Sequence, residues 1–239
     1  MVEGWLQAVD ADLADQPKAI VAPHAGYVYS GPIAASAYAR IASRRNSIAR
    51  VVLLGPSHRV PFQGLARTAV GHFLTPLGPV AVDLDAYALV DDLPQVRLFE
   101  APFDGEHCLE VQLPFLQLTL ARFRIVPFIV GEAGTQEVAA VIERLWGGDE
   151  TLIVVSSDLS HYLDYDSARA IDVQTSRAIE SLRPEAIGHH QACGRNPLKG
   201  LLREAERRGL RARTLDLRSS GDTAGPRSRV VGYGAYAFS

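Results

Sequence analysis

An apolar run that ends at a glycine–proline pair constrains the fold of this chain more than any other feature of its sequence. Residues 50–54, Arg-Val-Val-Leu-Leu, are followed directly by Gly55 and Pro56. A short run rich in β-branched and aliphatic residues, ended in this way, is typical of a strand buried on both faces. His58 lies in the turn that leaves this strand. The run therefore predicts an imidazole at the carboxyl edge of a sheet that helices cover.

Two further strand candidates end in a similar way. Residues 18–22 lead into a turn that carries His24, and residues 151–155 lead into a segment that carries Asp158 and His161. Ligands of open α/β proteins bind outside the carboxyl ends of the strands. If the three strands are parallel neighbours, these polar side chains converge at one edge of the sheet.

Strands and helices alternate along the whole chain, which predicts an α/β fold. We expect a single domain over residues 1–239, with a central, mostly parallel or mixed sheet and helices on both faces. Four apolar residues from Trp5 to Leu13 have helical spacing and predict a helix over residues 3–15. A helix predicted over residues 106–120 contains Pro114, which should kink or divide it. The remaining predictions are helices over residues 30–41, 85–93, 136–146, 167–182 and 198–208, strands over residues 125–130, 213–217 and 229–238, and an antiparallel pair within residues 65–83.

Charge and cysteine content exclude several classes of partner. The formal net charge of −3 gives no long-range attraction to nucleic acid or to an anionic membrane surface. No apolar stretch reaches the roughly 18 residues that a membrane span needs, and the acidic N-terminal segment does not resemble a signal peptide. The two cysteines cannot form a disulfide scaffold, so a cytoplasmic location is expected.

The residues at the strand ends are suited to metal binding or to acid–base chemistry. His24 and His58 lie in turns framed by proline and glycine, which fix the direction of a ring; a structural or merely exposed histidine is the alternative. Asp158 and His161 share a face if their segment forms one helical turn. The aspartate can then orient the imidazole, or cap the following helix, or do both.

Cys193 is the candidate third ligand. It precedes Gly194 near the predicted start of a helix, where the helix dipole favours a thiolate. A thiolate near two imidazoles suits Fe(II), Cu or Zn, whereas a small buried thiol is the alternative reading.

The remaining histidines and cysteine are expected outside the set of metal ligands. His107, beside Glu106, can contact the ligand residues on the side away from the ion. The alternative is that it only belongs to the first turn of a helix. Cys108 is expected to pack inside that helix. His72, His189 and His190 have no partner in the sequence and are expected in loops or on the surface.

Several motifs, in order along the chain, resemble those of the Memo family, whose prokaryotic members are named AmmeMemoRadiSam system protein B. The motifs are APHAGYVYSG at 22–31, LLGPSH at 53–58, TPLG at 75–78, EHCLEVQLPFL at 106–116, SSDLSH at 156–161, ACG at 192–194, SSGD at 219–222 and VVGYGAYAF at 230–238. The family is similar in fold to the class III (LigB-type) extradiol dioxygenases. The resemblance implies that His24, His58 and Cys193 occupy the metal-ligand positions, and that Asp158 and His161 line the same pocket.

The resemblance also implies iron or copper, redox chemistry, and association with an AMMECR-type protein and a radical SAM protein. Three features depart from the family pattern. The chain begins close to the first motif, without the G-x-F-Y-P-like opening. Arg59 follows His58 where a second histidine is frequent, and it adds a positive charge near the site. Cys108 stands where serine is usual.

These observations predict a metal-binding, redox-active protein with a His/His/Cys site and a substrate that the sequence does not specify. The shared fold does not imply catechol cleavage, because extradiol enzymes use two histidines and a carboxylate, and function belongs to the site. An extradiol-type dioxygenase is therefore one alternative. The other is a non-catalytic module that holds a small molecule or a partner's peptide in the same pocket.

Overall fold

The computed structural model describes residues 1–10 and 16–239, and within them the strands form one large mixed sheet and a separate hairpin. The strands are β1 (Ala19–Ala22), β2 (Arg50–Pro56), β3 (Leu65–Arg67), β4 (His72–Thr75), β5 (Gly78–Ala81), β6 (Val96–Leu98), β7 (Arg124–Val130), β8 (Thr151–Ser156), β9 (His161–Leu163), β10 (Ala212–Ser219) and β11 (Val230–Phe238). The main sheet has the order β10-β11-β1-β8-β2-β7-β3-β6, β9 pairs with β11, and β4 pairs with β5.

The centre of the sheet is parallel. β1, β8, β2 and β7 are parallel neighbours, whereas β11 is antiparallel to β1 and β3 is antiparallel to β7. The register pairs Ala22 with Ser156 and Leu54 with Val155, so β1, β8 and β2 end at the same edge. The predicted convergence of the three strand ends is therefore present in the structure.

Helices flank the sheet and complete the α/β fold that the sequence predicts. They are α1 (Val2–Ala8), α2 (Tyr27–Tyr38), α3 (Leu113–Thr119), α4 (Thr135–Arg144), α5 (Tyr165–Glu180) and α6 (Arg195–Arg207). α2 packs on β1, β10 and β11, α5 packs on β10 and β11, and α6 packs on β2, β8 and α4. Within the described ranges, no helix is both long and apolar enough to cross a membrane.

The N-terminal helix is shorter in the structure than the sequence predicts. α1 ends at Ala8, and Leu13, the last residue of the predicted pattern, lies outside the described residues. α1 packs on α2, and a Cβ on Gly31 would overlap the Trp5 ring. This close approach explains why a glycine stands in α2 at that point.

The helix predicted over residues 106–120 is wrong in its first half. Residues 106–109 are irregular, Glu110–Gln112 form a 3₁₀ turn, and α3 begins only at Leu113 with Pro114 in its first turn. Proline lacks an N–H group and its ring clashes with the carbonyl four residues before it, so it fits a first turn better than a helix interior. The motif residues before it are therefore free to form a loop.

Two other helix predictions differ at their bounds. α2 begins at Tyr27, before the predicted start at residue 30, because the carbonyl of Gly26 accepts hydrogen bonds from Tyr29 and Ser30. Its predicted C-terminal part is instead a 3₁₀ helix, Ala39–Arg44. The helix predicted over residues 85–93 is a 3₁₀ helix, Leu84–Leu89.

Candidate metal centre

The loops at the carboxyl edge of the sheet enclose a cavity of about 910 Å³. His24 follows β1, His58 follows β2, and Asp158 follows β8, while Cys193 comes from the loop before α6. All four residues line this cavity, and His161 lines it as well. The structure thus brings together every ligand and pocket residue that the sequence predicts, although their roles stay predictions.

Two imidazoles and one thiol form a compact donor set within this cavity. One ligand atom from each of His24, His58 and Cys193 lies within 4.8 Å of the other two. The shortest edge, between Nε2 of His24 and Sγ of Cys193, is 3.3 Å. Three donors from separate loops at such distances can surround one ion without a large movement of the backbone.

A buried chain of hydrogen bonds fixes the tautomer of His24. Tyr38 donates to Oε1 of Gln112 over 2.8 Å, so the amide nitrogen of Gln112 faces Ser156 and donates to its Oγ over 2.8 Å. The Ser156 hydroxyl gives its one hydrogen to the carbonyl of Cys108 over 2.7 Å. A hydroxyl has one donor and two acceptor sites, so the remaining bond of 2.8 Å must be donated by Nδ1–H of His24.

This tautomer is the one that a metal ligand needs. Since Nδ1 of His24 carries the hydrogen, the lone pair is on Nε2 and points toward Cys193. Burial lowers the pKa of His24 to about 4, so the ring is neutral above that pH. His24 is only 2% exposed, which keeps the ring in this orientation.

Glu106 positions His58 in a comparable way. Its buried carboxylate accepts hydrogen bonds from Nδ1–H of His58 at 3.0 Å and from the backbone N–H of His58 at 2.9 Å. Backbone N–H groups of His107 and Cys108 donate to the same carboxylate. Burial alone would raise the pKa of Glu106, but the hydrogen bonds from His58 and Cys108 outweigh it and lower the pKa to about 2.

In this network the Glu106 side chain accepts from the N–H groups of His58, His107 and Cys108, and the first residues of the EHCLE motif form an irregular loop around it. His58, Glu106 and His107 also form a compact group of possible ligands. Four hydrogen bonds already occupy the carboxylate, so we assign Glu106 to orienting His58 rather than to ligating an ion. His107 stacks on His58 with ring centroids 5.7 Å apart.

The thiol of Cys193 is held by the end of β8. The N–H of Asp158 donates to Sγ at 3.3 Å, and the N–H of Cys193 donates to the carbonyl of Asp158 at 3.2 Å. Gly194 makes this approach possible, because a Cβ there would lie 2.7 Å from Cβ of Ser157. Residue 193 thus reaches the site through a backbone contact that only glycine permits.

The charge state of Cys193 differs from the prediction. Its place before a helix predicts a lowered pKa, but burial and the nearby Asp158 carboxylate raise the pKa of this thiol, despite the hydrogen bonds that favour the thiolate. Without a cation beside it, the thiol is therefore protonated at neutral pH. Binding of a metal ion must displace that proton.

Asp158 and His161 do not share a helical turn. Residues 157–160 are irregular and His161 begins β9, so the predicted i, i+3 geometry is wrong. Asp158 instead clamps the His24 turn, since its Oδ1 accepts from the N–H of His24 at 2.8 Å and of Ala25 at 3.3 Å. It does not cap the following helix either, because Asp164 caps α5.

The strand β9 is strained beside the cavity. Tyr162, next to His161, has a φ of +60° and an exposed side chain. A bulky residue in the left-handed region is uncommon and costs roughly 1–3 kcal/mol. His161, Tyr162 and Leu163 all line the cavity.

Two site residues were missed by sequence reasoning. His189 and His190, expected in loops or on the surface, are exposed loop residues as predicted, but they also line the same cavity as the donor set. Six of the seven histidines of the chain therefore face one cavity, and only His72, in the exposed hairpin strand β4, does not. The signal that could have found them is their position in the loop that leads to Cys193.

Cys108 is buried but does not lie on a helix. It is fully inaccessible to solvent, and its Sγ donates to the carbonyl of Pro56 at 3.2 Å. A Cβ on Gly55 would lie 2.5 Å from this sulfur, so the end of β2 passes directly over it. Cys108 therefore packs under the turn that leads to His58.

The comparison with family profiles and the comparison with known protein sequences indicate the same family. The profile of a family described as Memo-like protein matches residues 1–237. A MEMO1 family protein of Aeropyrum pernix is 38% identical, over 92% of this chain and 83% of that protein. A MEMO1 family protein of Aquifex aeolicus is 36% identical, over 91% and 84% of the two chains. The protein memo-1 homolog of Caenorhabditis elegans is 32% identical, over 79% of this chain and 61% of its own length.

A comparison with solved structures supports the fold alone. The crystal structure of an uncharacterized protein, JW3007, from Escherichia coli K12 matches with a TM-score of 0.56 and 11% identity. The match covers 91% of this chain and 99% of that chain. The architecture is therefore found in a protein of very different sequence.

Proposed function

The chain belongs to the Memo-like protein family, and from the geometry of its strand-end cavity we propose that it is a redox-active metal-binding protein. His24, His58 and Cys193 hold the ion in this proposal. The observation that carries it is the donor set itself, three ligand atoms within 4.8 Å of one another from three separate loops. Each imidazole is also oriented through its Nδ1–H group, which donates to Ser156 in the case of His24 and to Glu106 in the case of His58.

The donor types narrow the choice of ion. Two neutral imidazole nitrogens and one thiolate suit borderline-soft cations, which favours Fe(II), with Cu and Zn as the other candidates. Such an ion, when bound through three protein atoms, supplies open coordination positions and, for Fe or Cu, electron transfer. The thiolate donates more charge to the ion than the carboxylate of an extradiol enzyme does, and the thiolate can itself be oxidised. The proposed site therefore differs from the site that cleaves catechols.

The residues around the three ligands affect proton transfer at the ion and access to it from the cavity. His161 lines the cavity and can accept or release a proton beside the open side of the site. Asp158 holds the His24 turn, and its Oδ2 lies 3.9 Å from Nε2 of His24. The thiol proton of Cys193 leaves when the ion binds, and the exposed residues His189 and His190 line the same cavity.

The test compares the two thiols of the chain. The protein is purified anaerobically and titrated with Fe(II), Cu(I) and Zn(II) against a chromophoric chelator, for wild type, Cys193→Ser and the matched control Cys108→Ser. We expect one high-affinity ion in wild type and in Cys108→Ser, and strongly weakened binding in Cys193→Ser. Oxygen consumption by the iron-loaded and copper-loaded protein with ascorbate or catechol then measures redox activity.

The opposite pattern would overturn the assignment. Loss of the ion in Cys108→Ser but not in Cys193→Ser means that the ligands are wrong. A wild-type protein that binds none of the three ions refutes the metal-binding proposal and favours a non-catalytic binding pocket. Thermal unfolding of each apo variant shows whether a loss of binding reflects a loss of fold.

A further inference from the structure

Arg59 is a cation beside the candidate metal centre, and it has no partner among the residues that the structure describes. It follows His58 directly and lines the cavity of about 910 Å³. It also lines a smaller groove of about 200 Å³ that shares His58 and Cys193 with the first cavity. Arg195, which lines that groove too, is paired with Glu132 at 2.9 Å. Among the residues that the structure describes, none forms an ion pair or a hydrogen bond with the guanidinium of Arg59.

The guanidinium of Arg59, an exposed residue, lies beside the loop that precedes Glu106. Gly105 has a φ of +65°, and a Cβ built on it would lie 3.4 Å from Nη1 of Arg59. The guanidinium therefore lies against the backbone of the loop whose next residue orients His58. The neighbouring Asp104 is exposed and does not pair with it. The arginine head thus lies at the wall of the cavity, and no residue in the described part of the chain neutralises it there.

The remainder of the cavity leaves this charge uncompensated. Asp158 is the one carboxylate among the described residues that line the cavity, and the N–H groups of His24 and Ala25 already occupy its Oδ1. The other polar side chains of the lining are mainly histidines. Its apolar part is formed by Ala25, Leu159, Leu163, Ile171, Ala192 and Val231.

On the basis of the proposed metal site, we propose that the cavity binds an organic carboxylate with an apolar aromatic or aliphatic body. Its carboxylate pairs with Arg59, and its body lies against the apolar wall near the open side of the site. A planar guanidinium matches a carboxylate through two parallel hydrogen bonds. The cavity volume lies within the roughly 300–1,000 Å³ of small-molecule pockets.

The test uses 2-naphthoate and its neutral analogue 2-naphthamide as probes. Isothermal titration measures both with the zinc-loaded full-length protein, for wild type, Arg59→Gln and Arg122→Gln. Arg122 is the matched control, because it is exposed and lies between α3 and β7, at the opposite edge of the sheet. We expect Arg59→Gln to weaken naphthoate binding about tenfold or more while naphthamide binding changes little, and Arg122→Gln to change neither.

Two results would overturn the inference. One is unchanged naphthoate affinity in Arg59→Gln, and the other is an equal loss in Arg59→Gln and Arg122→Gln, which would indicate a non-specific charge effect. Zinc content is measured on the same samples. If wild type holds no zinc, the proposed metal site fails, but the naphthoate comparison between variants in the same metal-free state still decides the role of Arg59.

Discussion

Replacing Ser156 with alanine should weaken metal binding without removing any ligand. In wild type, Oγ of Ser156 accepts from Nδ1–H of His24 and from Gln112, and donates to the carbonyl of Cys108. In Ser156→Ala the His24 ring either buries an unpaired Nδ1–H or changes to the other tautomer. In the second case the hydrogen is on Nε2, where the metal should bind.

The expected magnitude follows from the groups left unpaired. A buried polar group that loses its partner costs about 1–3 kcal/mol. Gln112 keeps its hydrogen bond of 3.0 Å to the carbonyl of Pro23, so the full cost falls mainly on His24 and on the carbonyl of Cys108. We therefore expect a loss of about 2–4 kcal/mol in the free energy of unfolding of the apo protein. Loss of a residue that orients a metal-binding histidine lowers metal affinity by about 10–100-fold.

Ser176→Ala is the matched control. Ser176 is also buried, and its hydroxyl pairs with the hydroxyl of Tyr236 at 2.6 Å, but it makes no hydrogen bond to a ligand residue. Urea unfolding in the presence of chelator measures stability, chelator competition measures Zn(II) affinity, and ¹⁵N NMR of the imidazoles reports the tautomer. We expect both variants to lose stability and only Ser156→Ala to lose affinity. Wild-type affinity and an unchanged His24 tautomer in Ser156→Ala would refute the proposed role of the network.

Four further predictions concern other parts of the molecule. In Cys193→Asp, zinc binding should release about one proton fewer than in wild type, because an ionised carboxylate replaces a protonated thiol. Calorimetry in buffers of different ionisation enthalpy measures the number of protons released. Glu106→Gln should lower zinc affinity about 10–100-fold, because the amide NH₂ group would face N–H groups whose hydrogen bonds the carboxylate accepts in wild type. Chelator competition measures the change. Gly55→Ala should destabilise the fold by about 1–3 kcal/mol in urea unfolding, with partial rescue by Cys108→Ala, since the new Cβ would lie 2.5 Å from Sγ of Cys108. Burial raises the pKa of Asp172 to about 6, so this carboxyl group binds a proton more tightly in the folded protein than in the unfolded chain. The wild type should therefore lose up to about 3 kcal/mol of stability as the pH rises from about 4 through 6, and urea unfolding across that range should show a smaller loss in Asp172→Asn.

The position of the candidate site was predictable because it depends on short-range patterns and on one general rule. Three apolar runs that end in polar turns identified β1, β2 and β8, and parallel strands place their carboxyl ends at one edge. His24, His58 and Asp158 come directly after those strands. Their approximate positions therefore follow from the sequence, as do most of the strands and helices.

The loop around Glu106 shows where local patterns fail. Residues 106–120 have the composition of a helix, yet the Glu106 side chain binds backbone N–H groups and Pro114 takes the first turn of α3. The choice between loop and helix depends on a hydrogen bond to His58, which lies 48 residues earlier in the chain. Neither helical propensity nor periodicity contains that contact.

The sequence alone determined which residue types stand at the strand ends and the family to which their motifs belong. The tertiary structure decided how those residues are tuned. The tautomer of His24 depends on Ser156, 132 residues away, and the raised pKa of the Cys193 thiol depends on burial beside Asp158. His189 and His190 become cavity residues only through the path of the loop before α6. Burial, hydrogen-bond partners and local charge arise from groups that are distant in sequence and adjacent in space, so they are fixed only when the chain has folded.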